Sequence, residues 1–148
     1  MRIGIVDLQG SRVDKDLIRR VVRRVARGAP RPYASVTIAL VDDARITELN
    51  RAHRGKNRPT DVLAYDADPD DPEYMGDVVI SVETAVRQAE GAKRPPDHEV
   101  AWLAAHGILH LLGSDDADEK QRQAMIAQQD EALAEALARQ SRCARAKA

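Results

Sequence analysis

Apolar periodicity along the chain predicts four β-strands. Residues 2–8 alternate apolar side chains with others, as a half-buried strand does. Residues 35–41 are β-branched and apolar and are therefore predicted to be a buried strand, and two further strands are predicted at 61–65 and 76–82. Residues 66–75 are acidic and contain two prolines, so they are predicted to form the loop between the last two strands.

Apolar residues spaced three and four apart predict five helices. The first runs from Asp14 or Lys15 to Arg27, and its polar face carries five arginines: Arg19, Arg20, Arg23, Arg24 and Arg27. The other four helices are predicted at about 43–53, 83–90, 96–112 and 117–139, with Gly91 ending the 83–90 helix. Three helices interleave with the strands and two follow, which indicates an α+β or α/β sandwich in one domain. That domain is expected to span residues 1–140, with a frayed tail at 141–148.

Composition makes a soluble cytoplasmic protein the expectation. Hydrophobic residues make up 43% of the 148, enough to bury a core without disulfides. The single cysteine, Cys143, excludes an intramolecular disulfide and is typical of a reducing compartment. No apolar run approaches the roughly 20 residues that a membrane span needs, so we expect no membrane partner. The oligomeric state stays open.

Charge is segregated along the chain although its formal net charge is −1. Residues 1–58 carry 14 Lys and Arg against 6 Asp and Glu, and residues 59–148 carry 9 against 18. A strongly basic half favours a polyanionic partner such as a nucleic acid. Two oppositely charged halves can equally attract each other across the protein surface, so both interpretations remain.

His106 and His110 lie four residues apart in a predicted helix, so both imidazoles project from one face. The string HGILHLLGSDD continues with Gly113, which can adopt a left-handed conformation and turn the chain back toward the same ion. The side chain that would return is Asp116, with Asp115 as the alternative. Two imidazoles and a carboxylate, with a fourth position left for water, are a common catalytic zinc set. We therefore expect one zinc ion on a helix–turn.

A similar ligand spacing occurs in metallopeptidases, but this chain lacks one of their catalytic residues. In those enzymes a Glu directly after the first His acts as general base, whereas this chain has Gly107 there. Hydrolysis of peptides or amides is therefore the weaker alternative for this site.

A polar loop, HRGKNRPTD, carries three cations close together: Arg54, Lys56 and Arg58. The guanidinium fork and the lysine ammonium both suit phosphate. A zinc ion beside a guanidinium suits phosphodiester cleavage, because negative charge grows on the phosphoryl oxygens. The alternative is a solvated turn without a ligand.

Three blocks of the chain resemble the YbeY endoribonuclease family, the bacterial rRNA maturation factors: HRGKNRPTDVLAY, GDVVISVETA and HGILHLLGSDD. They occur in the family's order and spacing over roughly residues 35–135. The resemblance implies an α+β domain with a small mixed sheet, here four-stranded and packed with about five helices, and a zinc-bearing helix. It also implies a metal-dependent endoribonuclease specific for single strands. Such an enzyme matures the 3′ end of 16S rRNA and acts in ribosome quality control beside the small ribosomal subunit.

The resemblance also implies roles for individual residues. His106 and His110 match the first two zinc ligands of the family, and Arg54 matches its functionally important loop arginine. The third family ligand is His, where this chain has Asp116. A carboxylate there lowers the net charge of the site by one, so the ion should acidify a bound water less.

The leading hypothesis is a zinc-dependent endoribonuclease of rRNA processing in which Arg54 holds the scissile phosphate. Further candidates for substrate binding are Lys56 and Arg58 in the loop and Arg20 and Arg24 on the basic helix. The alternatives are a metal-dependent peptide or amide hydrolase and a non-catalytic, ribosome-associated binding protein.

Overall fold

A computed structural model describes residues 1–147, except for the side chains at 144, 146 and 147. Within this range nine elements follow one another: β1 (Arg2–Asp7), α1 (Lys15–Ala26), β2 (Ser35–Val41), α2 (Asp43–Arg54), β3 (Val62–Asp66), β4 (Tyr74–Ser81), α3 (Val82–Ala92), α4 (Pro96–Leu111) and α5 (Glu119–Lys147). Two helices, α1 and α2, alternate with the strands, and three helices follow the last strand. The predicted α+β class is confirmed.

The four strands form one mixed sheet in the order β1-β2-β4-β3. β1, β2 and β4 are parallel, and β3 lies antiparallel on the edge beside β4. Parallel neighbours need a crossover, and α1 supplies the one between β1 and β2. The small mixed sheet that was expected is therefore confirmed.

Helix α4 lies at the centre of the helical layer on one face of the sheet. It contacts α1, α3 and α5 as well as β3 and β4. Its sequence is apolar nearly all round, which is the pattern of a buried helix. The opposite face of the sheet is covered by α2, where Ile46 packs on Val41, Leu63 and Val79. The two candidate histidine ligands thus project from a helix that is enclosed by three other helices and by the sheet.

Two predicted boundaries around β4 and α3 are wrong. α3 continues through Gly91 to Ala92 and is capped by Lys93, which adopts the left-handed conformation with φ 55° and donates its N–H to the Ala89 carbonyl. β4 begins at Tyr74, two residues before the predicted start, because Tyr74 pairs with Ser35 of β2; its hydroxyl also contacts Thr37 of β2 and Asp77. Tertiary contacts and the capping at Lys93 therefore set the start of β4 and the end of α3.

Helix α5 is longer than predicted and continues to Lys147 instead of ending near Arg139. Residues 141–147 of the expected frayed tail are therefore helical, while Ala148 lies outside the described residues. The Gln140 side chain donates to Asp14, the N-cap of α1, at 3.1 Å, which ties this part of α5 to the fold. Despite this length, no helix within residues 1–147 is apolar enough over a sufficient span to cross a membrane.

Asp43 ties the start of α2 to the junction of β4 and α3. Its Oδ1 accepts hydrogen bonds from the hydroxyls of Ser81 and Thr84, both at 2.6 Å, and its Oδ2 lies 2.8 Å from Arg87 Nη2. Burial acts to raise the pKa of Asp43, but these hydrogen bonds and the Arg87 charge outweigh it and hold the pKa below its usual value. The carboxylate thereby fixes the helix whose other end carries Arg54.

Asp43→Asn should lower the free energy of unfolding by about 1–3 kcal/mol at neutral pH, because it replaces charge-assisted hydrogen bonds with weaker ones. The pKa is depressed in the folded state, so the carboxylate's contribution is complete above the unfolded value near 3.8 and is lost as the pH falls through the folded value. Urea unfolding of both proteins at neutral and at strongly acidic pH measures this. The difference between them should shrink in acid, and an undiminished difference would contradict the assignment.

Candidate functional site

The site begins with two imidazoles on adjacent turns of α4. His106 and His110 project from the same face, and their Nε2 atoms lie 3.1 Å apart. The rings meet edge to face with centroids 4.6 Å apart. Their side chains are 22% and 30% exposed, so both reach the surface only through a recess.

The turn after α4 brings a carboxylate to these imidazoles. Ser114 N–H donates to the Leu109 carbonyl at 2.9 Å and Gly113 N–H donates to the His110 carbonyl at 3.0 Å, which is the Schellman pattern of a helix end. Gly113 has φ 98°, a conformation that side chains with a Cβ rarely adopt. The chain therefore reverses, and Asp116 Oδ2 lies 3.8 Å from His106 Nε2 and 3.7 Å from His110 Nε2.

The spacing of these three ligand atoms fits a tetrahedral metal ion. Ligands about 2.1 Å from a tetrahedral zinc lie roughly 3.4 Å from one another. Donor atoms of His106, His110 and Asp116 lie within 4.8 Å of one another, so the group could hold a metal ion. Asp115, the alternative third ligand, instead accepts the Asp116 N–H at 2.8 Å and supports the turn.

Gln129 on α5 holds the ring of His106 in place. Its Oε1 lies 3.2 Å from His106 Nδ1, and its Nε2 donates to the Trp102 carbonyl at 3.1 Å. Because the amide nitrogen donates to that carbonyl, the amide oxygen faces the ring and accepts a hydrogen bond from Nδ1–H. The lone pair of His106 Nε2 is then free to face Asp116 and His110. Gln129 is fully buried, so this arrangement is rigid.

The position after the first histidine cannot carry a general base. A Cβ on Gly107 would lie 2.4 Å from Val78 Cγ1, so α4 approaches β4 too closely for any side chain there. A Glu at this position, as metallopeptidases of the related spacing require, would push the helix off the sheet. The structure therefore gives a packing reason for the glycine and disfavours the peptidase alternative.

Arg54, the last residue of α2, lines the same cavity as the candidate ligands. The cavity has a volume of about 570 Å³ and is bordered by Asp61 and Asp66 as well as by the imidazoles. The arginine side chain is exposed and makes no hydrogen bond within the described residues. A guanidinium and the ligand group thus share one open recess.

Tyr65 supports the arginine side of the cavity. Its ring packs on His53 with centroids 4.6 Å apart. Burial raises the pKa of the Tyr65 hydroxyl, and the nearby Arg54 charge partly opposes that rise. The tyrosine therefore stays a neutral surface beside the guanidinium.

The other predicted substrate residues lie outside this cavity. Lys56 and Arg58 are exposed and do not line it, although Asn50 Nδ2 donates to the Arg58 carbonyl at 2.9 Å and pins the loop. Arg24 forms ion pairs with Glu131 and Glu135 of α5, so carboxylates of the acidic half compensate it.

Sequence reasoning missed two residues of the site, Arg122 and Gln129. Arg122 lines the cavity from the first turns of α5 and pairs with Glu119. Gln129 stands within the buried stripe of α5, whose other members are Met125, Ala132, Leu133 and Ala136. A polar residue in an apolar stripe was the available signal for Gln129, whereas nothing in the sequence singles out Arg122.

Fold and site together define a small α+β protein with a two-histidine, one-carboxylate group facing an arginine. The family model described as Endoribonuclease YbeY matches residues 7–137. The chain belongs to that family.

Individual relatives agree with this assignment. A protein of Synechococcus elongatus named Endoribonuclease YbeY is 47% identical over 108 residues, which cover 67% of this chain and 61% of that protein. One of Persephonella marina with the same name is 40% identical over 124 residues, which cover 80% and 81%. The match thus spans less than two thirds of the Synechococcus relative.

One solved structure shares the fold. The solution structure of TM1509 from Thermotoga maritima superposes with a TM-score of 0.64 at 24% identity, over 95% of this chain and 92% of that one.

His110→Ala should remove most of the bound metal, because a three-ligand site loses one of its ligands. Elemental analysis of protein purified without chelator measures this. Asp115→Asn is the matched control and should keep its metal, since Asp115 only supports the turn. Asp116→His should bind at least as well as wild type because it supplies a third imidazole. Near-stoichiometric metal in His110→Ala would count decisively against the site.

Gln129→Leu should weaken metal affinity by about 10- to 100-fold, because His106 Nδ1–H loses its acceptor and the ring its orientation. Gln129→Glu keeps an acceptor and should retain affinity. Competition with a chromophoric chelator gives the affinities, and ¹⁵N NMR of the imidazoles reports which nitrogen of His106 is protonated. Unchanged affinity and an unchanged tautomer in Gln129→Leu would show that Gln129 only fills space.

Proposed function

We propose that the protein is a zinc-dependent endoribonuclease that cleaves single-stranded RNA. The observation that carries the proposal is the shared recess, which is lined both by His106, His110 and Asp116 and by an exposed Arg54 that makes no hydrogen bond or ion pair within the described part of the chain. Phosphodiester hydrolysis needs both parts, because charge develops on the phosphoryl oxygens while water attacks phosphorus. The relatives named Endoribonuclease YbeY support the same activity.

The chain's own residues bind and orient the phosphodiester. Arg54 would hold two oxygens of the scissile phosphate through its planar fork. A divalent ion held by the two histidines and Asp116 would supply Lewis-acid activation when bound. Gln129 keeps the proton on His106 Nδ1, so the Nε2 lone pair stays available. Arg122, which is paired with Glu119, adds a second cation to the lining of the recess.

Asp61 has a structural role in this recess. Its Oδ1 accepts the Val62 N–H at 2.8 Å and its Oδ2 accepts from Gln88 Nε2 at 3.1 Å. These two hydrogen bonds tie the carboxylate to the start of β3 and to α3.

Preference for a single strand follows from the depth of the ligand group. With His106 and His110 only 22% and 30% exposed, the phosphodiester has to enter the recess to reach them. An unpaired strand can bend its backbone inward and splay its bases, whereas the backbone of a duplex is held by base pairing.

The family resemblance extends the proposal to a physiological setting. The substrate would be rRNA, in the maturation of the 3′ end of 16S rRNA and in ribosome quality control, beside the small ribosomal subunit. The cytoplasm is the matching compartment, and the single, exposed Cys143 agrees with a reducing environment.

Arg54→Ala should reduce cleavage of labelled single-stranded RNA by about 100-fold or more, because the phosphate loses its guanidinium partner. Metal content and melting temperature should stay unchanged, since the side chain is exposed. Arg54→Lys should rescue poorly because the bidentate fork is lost.

Arg51→Ala is the matched control on the same helix, because Arg51 is exposed and does not line the recess. Cleavage by Arg54→Ala at the wild-type rate would overturn the role. A metal-loaded wild type that binds RNA without cutting it would favour the binding-protein alternative, and cleavage of casein would favour the peptidase alternative.

A further inference from the structure

A second cavity, of about 680 Å³, lies between the C-terminal half of α1 and that of α5. Five arginines line it and define what we call the Arg cavity: Arg20, Arg23, Arg27, Arg31 and Arg139. Within the described residues no carboxylate lines it. An adjoining smaller cavity shares three of these arginines and adds Arg24 and Arg142, and its one carboxylate, Glu135, is already paired with Arg24.

Arg20 shows that this charge is not compensated by the protein. Its Nη1 is buried and has no hydrogen-bond partner among the residues described. A buried donor of a charged group without an acceptor costs free energy, because it gives up water and gains nothing in return. Arg24, one turn further along α1, contrasts with it, since Glu131 and Glu135 of α5 satisfy its guanidinium.

The chemistry of the Arg cavity favours several phosphates of one strand. Guanidinium groups pair with phosphate oxygens in a bidentate manner, and here they are spread over two adjoining cavities instead of converging on one point. Tyr33 also lines the cavity, and the Arg31 guanidinium lies over its ring, 4.4 Å from the ring centroid. A backbone with repeated phosphates suits this layout better than a single small anion.

Helix α5 connects the Arg cavity to the candidate metal centre. Arg122 near its start lines the recess, and Arg139 in its second half lines the Arg cavity. At 1.5 Å per residue the two are about 25 Å apart along the helix. We propose that the Arg cavity binds backbone phosphates of a single-stranded RNA at a distance from the bond that is cut. The inference rests on the proposed function for the identity of the ligand.

The test measures RNA binding separately from cleavage. The probe is a fluorescein-labelled single strand of about 20 nucleotides with phosphorothioate linkages, which keep the backbone charge and resist hydrolysis, and its anisotropy is followed against salt concentration. Arg20→Gln with Arg139→Gln should weaken binding several-fold and reduce the slope of log affinity against log salt by about 0.7 for each lost contact.

Two further variants keep the test decisive. Arg23→Gln with Arg27→Gln changes only exposed side chains of the same cavity, so it should give the same loss without affecting folding. Arg12→Gln with Arg45→Gln removes the same charge from exposed positions outside both cavities and should leave the slope unchanged. The proposal would be overturned if the two double variants of the Arg cavity gave the same slope of log affinity against log salt as the control double variant.

A second probe, tripolyphosphate, distinguishes a site for a small phosphate anion from a site for RNA. If tripolyphosphate raises the melting temperature of wild type but not of Arg20→Gln, while the RNA slopes do not differ, the cavity binds a small anion and the RNA assignment is wrong. Salt-dependent RNA binding through the Arg cavity in a protein that does not cleave RNA would instead refute the proposed function and leave this inference standing.

Discussion

The close approach of α4 to β4 is the constraint on which the rest of the structure depends. Gly107 permits it, because any side chain would run into Val78. The helix is then buried on nearly all sides, and only the face that carries His106 and His110 opens into a recess. The same contact that secures the core therefore places the imidazoles and removes the position where a peptidase would carry its base.

Polar side chains with several partners complete the site around this helix. Gln129 joins a candidate ligand to the backbone of α4, and Asp43 joins the helix that carries Arg54 to the end of β4. Each is held by more than one hydrogen bond, so removing either would leave partners unsatisfied. These shared groups and the Schellman turn at Gly113 add to the positioning that the packing of α4 provides.

The arginines divide according to what neutralises them. Arg24 is satisfied by α5 and fastens two helices together. Arg54 and Arg20 have no such partner within the described residues, and they border two different cavities. The segregation of charge along the chain thus has two structural outcomes: part of the basic half pairs with the acidic half, and part lines two cavities without a carboxylate partner within the described residues.

The sequence by itself determined the element order, the α+β class and the pairing of His106 with His110, because periodicity and four-residue spacing are local properties. It also indicated the turn at Gly113 that returns Asp116. Only the tertiary structure decided that Lys93 and not Gly91 ends α3 and that α5 continues past Arg139. The tertiary structure alone also showed that Gln129 contacts His106 and that Nη1 of Arg20 has no hydrogen-bond partner within the described residues. Each of these depends on contacts between residues far apart in the chain, which no local pattern encodes.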